Sequence, residues 1–277
     1  MRILVCSQRD LLSCVALNVL LPGLAGKTVA VALQKVDHVD FHSGDPLDRL
    51  RWFDRNFSVD QLFPTLDQCP DPPGELLTFH HLARRHGIAF HDIDQINDGD
   101  GLELVEAFEP DLILSMRFGL IFKKHVIARP PLGVLNIHPG ALPEYAGLYA
   151  PMRAMLAGEQ TLSSTLHVID HGVDTGPVVG SSDLLVEGDR SLFWHFLQLY
   201  RLGADALLRL LPDLDEGGLL ATRPQDPSRR QYFSEPTRRD LEAFQRQGFR
   251  LVDVHDFQNL MSGFGFFTSA PAPSTAS

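Results

Sequence analysis

The sequence is poor in the features that mark disulfide-bonded, metal-binding and membrane proteins. Its 277 residues include only three cysteines, Cys6, Cys14 and Cys69. They lack Cys-x-x-Cys spacing, so neither a disulfide framework nor a zinc site is predicted. No apolar run approaches the roughly 18–20 residues that span a bilayer, and the amino terminus shows no signal-peptide cleavage site. We therefore expect a cytoplasmic protein that needs neither a metal nor a membrane.

Positive charge is also scarce. Lys and Arg number 24 against 35 Asp and Glu, which gives a formal net charge of −11. Affinity for nucleic acids comes largely from clustered Lys and Arg. The densest basic pairs here are scattered among acidic residues: Arg84-Arg85, Arg229-Arg230 and Arg238-Arg239. The charge balance predicts no nucleic-acid partner.

The first predicted strand-to-helix turn has no glycine cluster. It reads Cys6-Ser-Gln-Arg-Asp10. Dinucleotide sites and P-loops need glycines at this turn, because the backbone must approach the phosphates closely. The sequence therefore argues against both of these nucleotide-binding modes.

What the first part of the chain does contain is an alternation of strand-like and helix-like segments. Short apolar runs predict strands at Arg2–Cys6, Thr28–Leu33 and Asp111–Ser115, and helices are predicted over Leu11–Leu24 and Leu102–Phe108. This alternation predicts an α/β fold with a doubly wound, Rossmann-like, mostly parallel sheet. Such sheets bind ligands at the carboxyl ends of their strands.

The rest of the chain divides less clearly. The polar, proline-containing stretch 37–73 shows no clear period, and a long amphipathic helix is predicted to run to Leu211. We predict a main domain over residues 1–212 and a small carboxyl-terminal α+β extension over 213–265. The extension is expected to hold a helix near Arg238–Gln247 and a strand at Phe249–Val252. Residues 266–277 are predicted to be a disordered tail.

The strongest candidate for a chemical site is the run from Gly133 to Gly140. Its first residues predict a buried strand that Pro139 ends, and Asn136 and His138 lie two residues apart in it. Side chains at that spacing project from the same face of a strand. The amide can donate to a carbonyl oxygen. The imidazole can donate to the same oxygen or move a proton near neutral pH.

A second polar loop, His167 to Gly176, offers the carboxylates Asp170 and Asp174. A carboxylate near His138 favours the imidazolium and can relay the proton lost by an attacking amine. Taken singly, an Asn-x-His pair and an Asp-x-Gly turn are most often ordinary structure. Their occurrence together in one predicted α/β domain indicates a site.

Together these motifs resemble the signature of the folate-dependent formyltransferases, which include glycinamide ribonucleotide transformylase, methionyl-tRNA formyltransferase and sugar N-formyltransferases. The resemblance is carried by Asn136-Ile-His138-Pro139, the loop Leu142–Gly147, the run Val173-Asp174-Thr-Gly176, and Phe118–Phe122 with Lys124. In two places the sequence departs from the pattern. Gly140 stands where relatives often have Ser, and Ala146 where several have Arg.

The resemblance implies an N-formyltransferase that takes its formyl group from 10-formyltetrahydrofolate and uses no metal. It implies that Asn136 and His138 polarise the formyl oxygen. Asp174 would keep His138 suitably charged and accept the amine proton through a water. Folate binding would fall to two loops, comprising Met116, Arg117, Phe118, Gly119, Leu120 and Ile121 in the first and His167, Asp170, Gly172 and Val173 in the second.

The expected acceptor is the amine of a small metabolite, such as an amino sugar on a nucleotide or an amine derived from an amino acid. It is expected to enter beside Arg9, Tyr145 and Tyr149. A ribonucleotide acceptor is disfavoured because the first turn lacks the Gly-Ser-Asn phosphate loop. A tRNA acceptor is disfavoured because acids and bases are nearly balanced after Pro212.

Two alternatives to a transferase stay open. One is a non-catalytic relative that binds folate or a nucleotide, and the other is a hydrolase of 10-formyltetrahydrofolate. The sequence also leaves the oligomeric state open, with a homodimer among the options.

Overall fold

The fold is built on one large sheet with helices on both faces. The computed structural model describes residues 1–42 and 44–267, so the end of the predicted tail, residues 268–277, lies outside the described residues. The strands are β1 (Arg2–Gln8), β2 (Thr28–Gln34), β3 (Ala89–Ile93), β4 (Leu112–Met116), β5 (Val134–His138), β6 (Ala146–Gly147), β7 (Thr161–Val168), β8 (Val178–Leu185) and β9 (Tyr232–Phe233).

The large sheet has seven strands in the order β3-β2-β1-β4-β5-β7-β8. The pairs from β3 to β5 are parallel, whereas β5–β7 and β7–β8 are antiparallel. The predicted Rossmann-like, mostly parallel α/β fold is therefore confirmed. Strand order reverses between β1 and β4, and a crevice opens at such a point at the carboxyl ends of the strands. A separate two-stranded sheet pairs β6 with β9.

Ten α-helices surround the sheets in the described part of the chain. Within that part, no helix is long and apolar enough to cross a bilayer. The helices are α1 (Leu11–Gly23), α2 (Pro46–Trp52), α3 (Phe63–Leu66), α4 (Phe79–His86), α5 (Gly99–Phe108), α6 (Lys124–Ile127), α7 (Ala150–Leu156), α8 (Leu192–Asp215), α9 (Arg238–Arg246) and α10 (Val254–Gly263).

The stretch that showed no clear sequence period is largely helical. Helix α2 begins after Asp45, whose carboxylate accepts from the Leu47 amide, and Pro46 occupies the start of the helix, where its missing N–H costs nothing. The chain continues through a π-helical segment, Phe53–Leu62, into α3. π-Helical turns are rare and frequently occur at functional sites. This one forms a wall of the cleft described below.

Helix α8 packs closely on the strand that carries the candidate residues. It contacts β5, β7 and β8. At the closest approach, a Cβ on Gly203 would lie 2.2 Å from the Ile137 Cγ2 atom and 2.6 Å from the Ser164 Oγ atom. Only glycine permits this distance without a shift of helix or strand. This close packing fixes the position of β5 relative to α8.

The carboxyl-terminal extension packs on the main domain. Helix α8 continues past the predicted boundary at residue 212 to Asp215. Helices α9 and α10 bury Leu241, Phe244 and Leu260 in the same core as the large sheet. The strand predicted at Phe249–Val252 does not form. Instead, the carbonyls of Arg250 and Leu251 accept from the amides of Leu192 and Phe193, which satisfies free donors at the start of α8.

Candidate active site

A cleft of about 400 Å³ opens where β1, β4 and β5 end, within the volume range of small-molecule sites. Gln8, Arg117 and His138 line it at the ends of these strands. The loop before β8 closes one side, and the π-helical segment with α2 closes the other. The predicted residues Asn136, His138 and Asp174 all line this cleft.

The side-chain amide of Asn136 is held by His167, its partner in the β5–β7 register. The Nδ2 atom of Asn136 donates to the Nε2 atom of His167 at 3.1 Å, and the Nδ1 atom of His167 donates to the Val168 carbonyl at 3.0 Å. The carbonyl can only accept, so it selects the His167 tautomer that accepts from Asn136. One N–H of the amide is thus engaged, and the second is available to a ligand.

His138 is buried at the end of β5. Its Nε2 atom donates to the Tyr145 carbonyl at 2.7 Å, and its Nδ1 atom lies 3.6 Å from the Oδ2 atom of Asp174. Burial lowers the pKa of His138, although the charge of Asp174 partly opposes that shift. The resemblance implied that Asp174 keeps His138 charged. Asp174 does favour the imidazolium, but burial has the larger effect and favours the neutral imidazole, in which the lone pair is on Nδ1.

Asp174 joins the two histidines. Its Oδ1 atom lies 3.5 Å from the Nε2 atom of His167, and its Oδ2 atom accepts from the Gly147 amide at 2.8 Å. Burial disfavours the carboxylate, but the neighbouring His138, His167 and Gly147 outweigh it and hold the pKa of Asp174 below its usual range. The carboxylate is therefore ionised and ready to stabilise an imidazolium when one forms.

Because burial dominates, we expect His138 to titrate below pH 6.5, the ordinary value for histidine. Asp174→Asn removes the charge that opposes this shift, so the pKa of His138 should fall further. An NMR pH titration of the His138 Cε1–H resonance measures both values. Asp205→Asn, an exposed change on α8, is the control and should leave the midpoint unchanged. A wild-type midpoint at or above 6.5, or an upward shift in Asp174→Asn, would contradict this electrostatic account.

Two glycines allow the close packing around His138. A Cβ on Gly140 would lie 2.7 Å from the His138 Nε2 atom and 2.8 Å from the Tyr145 carbonyl oxygen. Gly147 has φ +93°, and a Cβ there would lie 2.2 Å from the Phe233 carbonyl oxygen. The departure at Gly140 thus coincides with a position where any side chain would press on the imidazole and its hydrogen bond.

Backbone strain also concentrates at the cleft. Of the five described non-glycine residues with positive φ, three line it, namely Arg117 (φ 54°), Tyr149 (φ 55°) and Asp174 (φ 53°). This region of φ disfavours residues with a Cβ, and it persists only where surrounding contacts enforce it. At Asp174 the contact is Gln225, whose Nε2 atom donates to the Asp174 and Gly176 carbonyls at 3.0 and 2.6 Å.

The two loops predicted to bind folate both contribute to the lining of the cleft. Of their residues, only Met116 does not line it, since its side chain is buried in the core. Four large hydrophobic side chains stand exposed along the cleft instead of being buried, namely Ile121 (65% exposed), Leu148 (50%), Val173 (41%) and Tyr232 (52%). Apolar groups gathered around one opening are typical of a binding site.

The three residues expected beside the acceptor are not brought together. Tyr149 lines the cleft. The guanidinium of Arg9 instead pairs with Asp92 at 2.6 Å, outside the cleft. The Tyr145 hydroxyl donates to Glu159 at 2.9 Å, so Tyr145 contributes its carbonyl to His138 rather than its side chain to the cleft.

Several cleft residues were not predicted from the sequence. They come from α2, from the π-helical wall, from α8 and from β9, and they include Arg51, Asp54, Arg55, Phe196, Tyr200 and Tyr232. The spacing of Arg51, Asp54 and Arg55 places all three on one helical face. That pattern becomes informative only once the segment is known to be helical.

Arg117 anchors a buried ion cluster at this end of the cleft. Its NH2 atom lies 2.5 Å from Asp10 and 2.6 Å from Asp54, and its guanidinium lies 5.6 Å from the Tyr200 ring centre. Burial disfavours the charge, but the two carboxylates hold the pKa of Arg117 well above its usual range. Burial raises the pKa of Asp54 to about 7 despite the attraction of Arg117.

Metal-binding chemistry has no candidate cluster in residues 1–42 and 44–267, where no three His, Cys, Asp or Glu side chains are grouped to hold an ion. The polar groups of the cleft include an amide, two imidazoles and a carboxylate that form a connected cluster, together with guanidinium groups. Such a set can bind a carbonyl oxygen, exchange a proton and hold an anion.

Comparison with known proteins points to one family. Residues 83–192 match the family model described as formyl transferase. The chain is 31% identical over 159 residues to methionyl-tRNA formyltransferase of Kosmotoga olearia, covering 57% of this chain and 51% of that protein. It is 34% identical over 146 residues to that of Chloroflexus aggregans, covering 53% and 47%. The chain thus spans about half the length of the curated relatives it matches.

Solved structures share the fold. Glycinamide ribonucleotide transformylase 1 from Symbiobacterium toebii matches with a TM-score of 0.54 at 20% identity, over 82% of this chain and 94% of that chain. An N-formyltransferase from Helicobacter canadensis, in complex with folinic acid and dTDP-3-aminofucose, matches with a TM-score of 0.55 at 19% identity, over 87% and 72%. The region matched by the family model contains Asn136, His138 and Asp174, and over this region the chain is similar to the formyl transferase family.

Proposed function

We propose that this protein transfers the formyl group of 10-formyltetrahydrofolate to the amine of a small molecule, with Asn136, His138 and Asp174 as its catalytic residues. The observation that carries the proposal is the convergence of these three side chains on one open cleft. His167 connects Asn136 to Asp174. An isolated buried histidine would not require such an arrangement.

The cleft suits the formyl donor in shape and polarity. The donor has a flat ring system and supplies an activated carbon when bound. We propose that residues 117–121 and the loop from His167 to Val173 hold the ring system, with Ile121 and Val173 covering its apolar parts. Apolar side chains gathered along one opening are typical of a ligand-binding groove.

Each polar side chain then has a defined task. The free N–H of Asn136 stabilises negative charge that develops on the formyl oxygen. The lone pair on the His138 Nδ1 atom accepts the proton that the amine loses as its nitrogen bonds to the formyl carbon. The imidazolium then returns this proton to N10 of the folate as the bond from N10 to the formyl carbon breaks. Asp174, 3.6 Å from the His138 Nδ1 atom, stabilises this imidazolium. Because burial favours the neutral imidazole, His138 is available as the base.

A tRNA acceptor is the second candidate, because the curated relatives named above are methionyl-tRNA formyltransferases. The net charge of −11 argues against it, since a polyanion is bound mainly through clustered positive charge. The volume of the cleft, about 400 Å³, is also that of a small-molecule site.

The test is an assay of formyl-folate consumption with a panel of small amines and, separately, with methionyl-tRNA. We expect consumption that depends on a small amine and yields one formylated amine for each tetrahydrofolate released. Formylation of methionyl-tRNA alone would favour the second candidate. Consumption without any amine would indicate a hydrolase, and folate binding with no turnover on any acceptor would indicate a binding protein.

A further inference from the structure

The guanidinium groups of Arg51, Arg55 and Arg117 line the cleft. They differ in which carboxylates neutralise them. Arg117 is paired with Asp10 and Asp54. Arg51 is paired with Glu235 and with Asp48. Arg55 forms no ion pair with a described residue, and its buried Nε atom has no hydrogen-bond acceptor in the described part of the chain. Arg55 is therefore the cleft guanidinium that no carboxylate of the described residues contacts directly, although Asp54 attracts it from a greater distance.

Arg55 lies near Tyr149, which lines the same cleft as Asn136, His138 and Asp174. Arg51, Arg55 and Arg117 all act electrostatically on the Tyr149 hydroxyl, where they oppose the burial that raises the pKa of Tyr149. Tyr149 lies two residues after Gly147, whose amide binds Asp174. Arg55 and the catalytic cluster line the same cleft of about 400 Å³, so one small ligand bound there can contact both.

Leaving a half-buried guanidinium unpaired is costly, since removing a charge from water is repaid only by a partner. Arg51 and Arg117 form ion pairs with carboxylates of the protein, whereas Arg55 does not. The planar, forked guanidinium matches carboxylate and phosphate groups, which bind it through two parallel hydrogen bonds. An anion on the ligand would supply the missing partner.

We propose that Arg55 binds an anionic group, a carboxylate or a phosphate, on the amine acceptor. This inference rests on the proposed formyl transfer, because it assigns the part of the same cleft beside Arg55 to the acceptor. It limits the substrate class to small amines with an acidic group at the end remote from the reacting nitrogen. Arg55 would then select the acceptor without taking part in the chemistry.

The test uses pairs of amines that differ in the anion. The phosphate arm compares glucosamine 6-phosphate with glucosamine, and the carboxylate arm compares glycine with glycinamide. In at least one arm the wild type should prefer the anionic member. Arg55→Gln should raise KM for that member by about 10- to 100-fold, the usual effect of losing a hydrogen bond to a charged group, with kcat nearly unchanged. Activity on the neutral member should be retained.

Arg49→Gln is the matched control, because Arg49 lies on the preceding helix, is exposed and does not line the cleft. It should behave as wild type. Arg55→Lys keeps the charge but loses the fork, so its KM should fall between those of wild type and Arg55→Gln. If Arg55→Gln distinguishes the paired amines as well as wild type does, the assignment of Arg55 is wrong.

Calorimetric titration with inorganic phosphate and with acetate tests the anion site without turnover. Wild type and Arg49→Gln should bind at least one anion, and Arg55→Gln should bind it at least 10-fold more weakly. Equal binding by Arg55→Gln, or no binding of either anion by wild type, would overturn the proposal. If no amine is formylated although the anion binds through Arg55, the proposed transfer fails and the anion site stands.

Discussion

Replacing Asn136 by alanine is expected to lower kcat for formyl transfer by about 10²–10³-fold, the usual effect of removing one donor to a developing oxyanion. The affinity for formyl-folate should change little, because the amide contributes mainly after charge develops on the formyl oxygen. Steady-state kinetics, with direct titration of 5-formyltetrahydrofolate as an unreactive ligand, separates the two effects.

Two further variants sharpen this result. Asn259→Ala removes an exposed asparagine from α10, outside the cleft, and should leave kcat unchanged. His167→Ala removes the side chain that orients the Asn136 amide but leaves the amide itself in place. It should therefore lower kcat less than Asn136→Ala. Equal kcat values for Asn136→Ala and wild type would show that the amide has no part in the reaction.

Replacing Arg117 by methionine is expected to lower the free energy of unfolding by about 3–5 kcal/mol near pH 8, because two buried carboxylates lose their counter-ion. Asp10 is fully buried and Asp54 is nearly so. Asp10 also caps α1 through the Ser13 amide. Urea unfolding monitored by circular dichroism measures the change. Arg238→Met, at a side chain that is 89% exposed, is the control and should shift stability by less than about 0.5 kcal/mol.

The sign of the pH dependence distinguishes charge from packing. In wild type the pKa of Asp54 is raised to about 7, above its unfolded value. Protonation of Asp54 therefore favours the folded state. This stabilisation is complete at pH values below the pKa of Asp54 in the unfolded chain, and it is lost as pH rises through about 7. Removing Arg117 raises that pKa further, so the destabilisation should be smaller at pH 5 than at pH 8. The same loss at both pH values would indicate a packing defect.

The sheet and the catalytic strand could be predicted because their signals are local. A run such as Leu112–Met116 is apolar except for Ser115, and every residue in it is buried. The alternation at Asn136 and His138 needs only the two-residue period of a strand.

The part of the cleft that we assign to the acceptor could not be predicted from the sequence, because long-range contacts form it. The π-helical wall carries few hydrophobic residues in a clear period, and its position depends on contacts between Asp54 and the start of α1. Tyr232 reaches the cleft only because β9 pairs with β6, where its partner is Ala146, 86 residues earlier in the sequence. Arg9 appeared suitable by its place after β1, but the nearby Asp92 of β3 pairs with it.

The most direct test of the central claim is a crystal structure of the protein with 5-formyltetrahydrofolate and an unreactive analogue of the amine. The account predicts a formyl oxygen about 2.7–3.1 Å from the Asn136 Nδ2 atom. It also predicts the acceptor nitrogen about 3–3.5 Å from the formyl carbon, on the side of His138. A folate bound outside this cleft, or a formyl group remote from Asn136 and His138, would contradict it.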